Sequence, residues 1–206
     1  MPNPAVPDYV AERVSTLLPD GAAYAAALAD APEWRRRKCA SLRLAADRRR
    51  SLAAWLLLRR LLAARGIAAE CLRVEEGAFG KPFFPSLPNV HFSVSHSGDM
   101  AMAAVSDCPV GCDVERIADR TDDLLGFLAP DERRHVEAFP SGAGRDAAFF
   151  RLWVRKESRL KATGRGLGAD TSSFSVLPDE FPGGWRFHDV AFAGGYVGCV
   201  CRSIMV

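Results

Sequence analysis

The stretch from His91 to Glu115 constrains this chain more than any other, because it reads as three short strands joined by tight turns. Val90, Phe92 and Val94 alternate with polar residues, and Ser95-His96-Ser97-Gly98-Asp99 then reads as a turn. Met100 to Val105 is a second apolar run, and Asp107-Cys108-Pro109 a second turn. In the third run Val110, Cys112 and Val114 share one parity and therefore one face, while Asp113 and Glu115 share the other. Two carboxylates side by side on a strand repel unless a cation lies between them, and oxygen ligands at this spacing suit a hard ion such as Mg²⁺. An edge strand with a solvated polar face satisfies the same pattern.

With 206 residues the chain holds one large domain or two small ones. A composition that is 49% hydrophobic and 25% charged belongs to a globular protein and argues against disorder. The net charge of +2 is small, but between Glu33 and Arg65 eleven Lys or Arg face only Glu33 and Asp47, an excess that invites an anionic partner. Pro2, Pro4, Pro7, Asp8 and Glu12 interrupt the apolar core that a secretory signal needs. No run approaches the roughly 18 to 20 apolar residues of a membrane span. The six cysteines form no C-x-x-C pair and lie mostly in apolar runs, as expected of reduced thiols in a cytoplasmic protein.

Along the chain, a short helix is expected from Tyr24 to Ala29, and the pattern becomes strongly helical from Glu33. Asp47 is placed to cap a helix with apolar positions Leu52, Trp55, Leu56, Leu62 and Ala63, which Gly66 stops. Arg48, Arg49 and Arg50 fall in its first turn, where cations oppose the helix dipole; either a bound anion or solvation accommodates them. Cys71 to Val74 reads as a strand, and Gly77 to Pro82 as a loop presenting Lys81. Helices are expected at Leu124–Ala138, with Pro130-Asp131-Glu132 as a helix start, and at Arg145–Thr163, closed by Gly164. In the second, Phe149, Leu152, Trp153 and Leu160 form the apolar face, and Trp153, Glu157 and Lys161 make one row along its rim. A solvent-exposed ion pair is the plain account of Glu157 and Lys161. Strands are expected at Phe174–Leu177, Trp185–Phe192 and Tyr196–Arg202. The order of helices and strands suggests an α+β fold of two similar halves meeting near Pro109, each an antiparallel sheet backed by a long helix.

Five stretches occur in a fixed order: Asp47–Arg60 (DRRRSLAAWLLLRR), Gly80-Lys81-Pro82, His91–Gly98 (HFSVSHSG), Val110–Glu115 (VGCDVE), and Leu152–Ser158 (LWVRKES) with Lys161, closed by Gly166-Leu167. In their order and spacing, over residues 32–177, the chain resembles the Sfp-type 4′-phosphopantetheinyl transferases. Cys112 stands where that family usually carries a branched apolar residue, and the basic residues before Asp47, Arg43 among them, do not align one-to-one with family lysines.

The resemblance implies a pseudo-twofold fold with subdomains 1–107 and 108–206. It implies transfer of the phosphopantetheine arm of coenzyme A to a serine of an acyl or peptidyl carrier protein, releasing adenosine 3′,5′-bisphosphate. Mg²⁺ would be held by Asp113, Glu115 and Glu157, with Asp113, Glu157 and Lys161 as catalytic residues and Glu157 as candidate base. Arg50, Lys81, Ser95, His96, Lys156 and Lys161 would contact CoA, with His96 and Arg50 towards the 3′-phosphate. The expected molecule is a cytoplasmic monomer serving fatty acid, polyketide or nonribosomal peptide synthesis, with no nucleic-acid or membrane partner. A nucleic-acid-binding module leaves the three carboxylates and the Ser-His-Ser-Gly stretch unexplained. A catalytically inactive CoA- or carrier-binding protein of the same fold is the other alternative.

Overall fold

The computed structural model describes residues 8–69, 72–119, 121–165, 170–181 and 183–204. β1 (Asp8–Arg13) runs into one turn of helix, α1 (Val14–Leu17), then α2 (Gly21–Ala29), α3 (Glu33–Ser41) and the long α4 (Ala45–Ala64). A two-stranded ribbon of β2 (Glu75–Glu76) and β3 (Pro82–Phe83) leads to β4 (His91–Ser97), β5 (Met100–Ser106) and β6 (Val110–Arg116). The short α5 (Thr121–Leu124) continues into a 3-10 turn. After it come α6 (Pro130–Glu137), α7 (Ala143–Thr163), β7 (Glu180–Phe181), β8 (Trp185–Ala191) and β9 (Tyr196–Ser203).

These elements stack because β5 is apolar on both sides, as a strand covered on both faces must be. Ala101, Ala103 and Val105 pack with Leu52, Trp55, Leu58 and Leu62 of α4. Met100, Met102 and Ala104 pack with Val110, Cys112, Val114 and Val200. On the far side of that second sheet, Cys199 and Cys201 meet Phe149, Leu152 and Val154 of α7. The layers therefore run α4, then the antiparallel sheet β1-β5-β4, then the antiparallel sheet β6-β9-β8-β7, then α7. Trp55, Leu52, Leu58 and Phe149 are wholly buried, each side chain of this size contributing about 1.5 to 3 kcal/mol.

The expected mixture of helix and small antiparallel sheets is present, with local differences. β1 was not anticipated: its residues Asp8-Tyr9-Val10-Ala11-Glu12-Arg13 lack a clean alternation, and their edge position beside β5 tolerates that. Asp47 is not a cap. α4 starts after Leu44, so Asp47 lies in the first turn and pairs with Arg50 at 2.5 Å. Arg48 and Arg49 are accommodated without an anion: Arg48 donates to Leu42 O, and Arg49 to the carbonyls of Leu18 and Asp20. Ser95, His96 and Ser97 belong to β4, and the turn is Gly98-Asp99 alone, with Gly98 at φ 55°. Residues 72–74 and 174–177 are not strands, and Cys71 lies outside the described residues. The helix expected from Leu124 is divided, with Leu128 and Ala129 extended before Pro130.

Among the described residues no helix is long and apolar enough to cross a membrane. The described cysteines are free thiols, and burial pushes those of Cys112 and Cys201 up to about 12.

Candidate active site

The register of the second sheet decides where the β6 carboxylates point. Asp113 lies opposite Cys199 and Gly111 opposite Cys201, and residues opposed across an antiparallel pair share a face. Asp113 and Glu115 therefore face the α7 side, where α7 comes unusually close. A Cβ built on Gly111 would overlap the Ser158 carbonyl oxygen and the Ala162 nitrogen, so only glycine fits there. The row Trp153, Glu157, Lys161 is thereby laid along β6. The Lys161 ammonium donates to Asp113 Oδ1 at 2.6 Å and to Ser95 Oγ at 3.0 Å. Asp113 and Glu157 are only 3% and 7% exposed. Burial, and then the neighbouring Asp113, push the Glu157 carboxyl up to about 7; Lys161 opposes the shift and Glu115 adds to it. Lys161 keeps its proton: burial works against the charge, but the charge and hydrogen bond of Asp113, with Cys112 and Glu157, together outweigh it.

The first sheet supplies the opposite wall. Ser95 Oγ donates to Asp113 Oδ1 at 2.7 Å and Ser97 Oγ to Glu115 Oε2 at 2.6 Å. His96, on the other parity of β4, lines the cleft, and its imidazole is held below the usual histidine range by burial and by the charges of Arg50 and Lys161. Arg50 itself pairs with Asp47 and reaches Gly98 O at 3.4 Å.

Between these walls lies a cleft of about 890 Å³ lined by Ser95, His96, Asp113, Glu115, Trp153, Glu157 and Lys161, with Trp34, Arg35, Arg37 and Lys38 of α3 also on its wall. Of the residues expected at the site, the structure thus gathers Ser95, His96, Asp113, Glu115, Glu157 and Lys161 in one place. Arg50 stands close enough to act on His96 but is not part of the lining. Lys81 does not present a free ammonium: its Nζ donates to Val110 O at 3.1 Å and Ala162 O at 2.7 Å, in a side pocket of about 230 Å³ that shares Glu157 and Lys161 with the cleft. Lys156 is not brought to the cleft. It is wholly buried with Glu132 at 2.7 Å and donates to the carbonyls of Thr171 and Phe174. Gly166 and Leu167 lie outside the described residues.

The α3 residues were missed individually, although the basic excess from Glu33 onward was their signal. Arg35 is nearly buried beside Trp34 and Trp55, and donates to Ser51 Oγ at 3.1 Å. That packing, rather than the charge, hides it in the sequence.

Among the described residues no group of three or more His, Cys, Asp and Glu side chains is gathered closely enough to hold a metal ion. The three expected ligands share the cleft without forming a closed cage. Two buried carboxylate oxygens there, Asp113 Oδ2 and Glu157 Oε1, nevertheless have no hydrogen-bond partner. A buried anionic oxygen left in this way is costly unless a cation or donor meets it. The donor set is all oxygen, which suits Mg²⁺.

Buried carboxylates, a fixed lysine and a histidine on a cleft with a basic wall are the equipment of a protein that grips a phosphorylated ligand. Comparison with known proteins carries this further. Residues 109–198 match the family model described as the 4′-phosphopantetheinyl transferase superfamily, and residues 17–108 match that of the 4′-phosphopantetheinyl transferase N-terminal region. A 4′-phosphopantetheinyl transferase of Bacillus subtilis is 35% identical over 149 residues, covering 71% of this chain and 66% of the relative. The transferase Sfp of Bacillus subtilis strain 168 is 31% identical over 144 residues, covering 69% and 64%. The mouse L-aminoadipate-semialdehyde dehydrogenase-phosphopantetheinyl transferase is 27% identical over 180 residues, covering 79% and 58%. The matches thus take in 58 to 66% of these relatives' own lengths. The chain belongs to the 4′-phosphopantetheinyl transferase superfamily, as a member of the Sfp type.

Proposed function

We propose that this protein transfers the 4′-phosphopantetheine arm of coenzyme A to a serine of an apo acyl or peptidyl carrier protein, in a Mg²⁺-dependent reaction that releases adenosine 3′,5′-bisphosphate. The observation that carries the reading is the convergence of Asp113, Glu115, Glu157, Lys161, Ser95 and His96 on one cleft, in a chain whose relatives are named 4′-phosphopantetheinyl transferases.

The serine oxygen attacks the phosphorus that bears the pantetheine arm, and the bond from that phosphorus to the bridging oxygen of the pyrophosphate breaks. The leaving group takes the electron pair. The serine proton goes to Glu157, directly or through a water; burial and Asp113 push that carboxyl up to about 7 in the free protein, and a cation held beside it would draw the value back down. Lys161, fixed by Asp113 and Ser95, faces charge that builds on the phosphoryl oxygens. Mg²⁺ fits the two orphaned carboxylate oxygens, with Asp113, Glu115 and Glu157 as the residues that would hold it. When bound it neutralises pyrophosphate charge. His96, with Arg50 behind it, serves the 3′-phosphate. Lys81 and Lys156 act from further away, Lys81 as a stitch between loop, β6 and α7, and Lys156 as a buried anchor of α7.

The same reading assigns two subdomains, 1–107 and 108–206, in a pseudo-twofold arrangement. In its support, each of the two sheets has its own long helix and apolar cluster, with a third cluster shared. It also takes the protein to be a cytoplasmic monomer.

The test is mass spectrometry of a panel of apo carrier proteins incubated with CoA, Mg²⁺ and the protein. A gain equal to phosphopantetheine on any member is the expected result, and omission of Mg²⁺ should abolish it. CoA retention with no gain on any carrier points instead to an inactive binding protein.

A further inference from the structure

Among the described residues β6 is the last strand of its sheet, so one of its edges is paired with no strand in a backbone ladder. The N–H groups of Cys112, Val114 and Arg116 donate instead to serine hydroxyls: Ser93 Oγ at 3.0 Å, Ser95 Oγ at 3.4 Å and Ser97 Oγ at 3.1 Å. The three serines alternate along β4 and so project from one face, spaced to meet alternate residues of β6. They satisfy backbone donors and cover an edge that would otherwise be open to another strand.

A hydroxyl that accepts from an N–H still has its own proton to give. Ser95 gives it to Asp113 and Ser97 to Glu115. Ser93 sits opposite Cys112 and meets its core-facing thiol, and among the described residues no hydrogen bond joins it to a carboxylate. The ladder therefore performs one task at Ser93 and two tasks at Ser95 and Ser97. Hydrogen bonds to a carboxylate are roughly twice as strong as neutral ones, so those two rungs restrict the acidic side chains as well as joining the sheets.

We propose that Ser97 is a positioning residue, which fixes the Glu115 carboxylate from the neighbouring sheet as Ser95 fixes Asp113. The two acidic groups of β6 are then set by β4 before any ligand arrives, and only when the two sheets are in register. The inference rests on the proposed function for what those carboxylates hold.

The experiment titrates Mn²⁺, as a spin-active stand-in for Mg²⁺, into the full chain with CoA present, by electron paramagnetic resonance. The panel is wild type, Ser97→Ala, Ser97→Thr and Ser93→Ala, with thermal unfolding and carrier-protein transfer measured alongside. Ser97→Ala should weaken Mn²⁺ binding by about 10- to 100-fold, the range for losing a group that orients a metal ligand. It should raise the Mg²⁺ needed for half-maximal transfer in proportion. Ser97→Thr, which keeps the hydroxyl, should restore most of the affinity. Ser93→Ala should lower the unfolding midpoint and leave Mn²⁺ affinity unchanged. In a Glu115→Gln background the Ser97→Ala change should have little further effect on Mn²⁺. If Ser97→Ala does not fold, Ser97→Cys, with its weak S–H donor, takes its place. Equal behaviour of the Ser93 and Ser97 variants, with Mn²⁺ affinity kept, overturns the proposal and leaves a seam alone. Wild-type protein that neither binds Mn²⁺ nor modifies any carrier overturns the functional reading, and this inference with it.

Discussion

His96 is where a single residue makes the sharpest claim. Burial and the positive charges of Arg50 and Lys161 keep its imidazole neutral in the free protein to lower pH than an exposed histidine. A 3′-phosphate beside it reverses the balance, so binding should take up a proton. CoA differs from dephospho-CoA only by that phosphate, and a hydrogen bond to a charged group contributes roughly 1.5 to 3 kcal/mol. Calorimetry should therefore show a preference for CoA that is full below the lowered free-state pKa of His96, declines above it and is gone once pH passes the raised bound-state pKa, with proton uptake visible as a buffer-dependent enthalpy. In His96→Ala the preference should shrink through weaker CoA binding. Equal weakening of both ligands would assign His96 to the support of β4 or to the pyrophosphate. At the carboxylates, alanine at Asp113, Glu115 or Glu157 should each lower turnover by roughly 10²-fold or more, the scale of a lost electrostatic group. Double variants should cost little beyond the worse single one, because the three would share one ion; mild, additive losses in folded protein would mean that they do not.

At the scale of elements, α7 matters through the distance it keeps from β6. Gly111→Ala would press a methyl group into the backbone at Ser158 and Ala162. Overpacking of this kind costs about 1 to 3 kcal/mol, and the helix should yield by moving Glu157 and Lys161 away from Asp113. The expected result is a lowered urea midpoint together with a fall in turnover larger than the rise in KM for CoA; an unchanged turnover would show that α7 tolerates the shift. Much of this element was legible beforehand. The period of Phe149, Leu152, Trp153 and Leu160 and the stop at Gly164 placed α7 within two residues, and the parity of Asp113 and Glu115 put both carboxylates on one face of β6. What escaped was polarity turned inward. Ser95-His96-Ser97 looked like a turn because polar residues usually meet water, whereas here the serines meet the free edge of another strand. Lys156 is expected at the CoA for a similar reason, since nothing local announces Glu132, twenty-four residues earlier, as its buried partner. Such pairings belong to tertiary structure, and no window of sequence contains both halves.

Polar contacts tie β6 and α7 to the part of the chain before them, and Lys81 makes one with a pH signature. It leaves the loop before β3, and its ammonium donates to Val110 O at the start of β6 and to Ala162 O near the end of α7. Burial lowers its pKa to about 8. In the unfolded chain it returns to about 10.4. Below about 8 the lysine is charged in both states, and the folded protein carries the cost of burying that charge. Between the two values the folded state sheds the proton while the unfolded state keeps it, so the unfolded state binds more protons and stability rises with pH. Above the unfolded value the contribution is level. The buried thiols act in the opposite sense, because their raised folded pKa values remove stability at high pH. The lysine must therefore be isolated by difference. Chemical denaturation of wild type and Lys81→Met at pH 7, 8, 9 and 10 provides it. The methionine protein should gain relative to wild type at pH 7, where the buried charge costs most, and that relative gain should shrink steadily towards pH 10 as wild type loses its proton. A constant difference across the series would mean that Lys81 stays charged throughout, satisfied by its two carbonyls, and that the stitch between the loop, β6 and α7 is a plain hydrogen-bonded one.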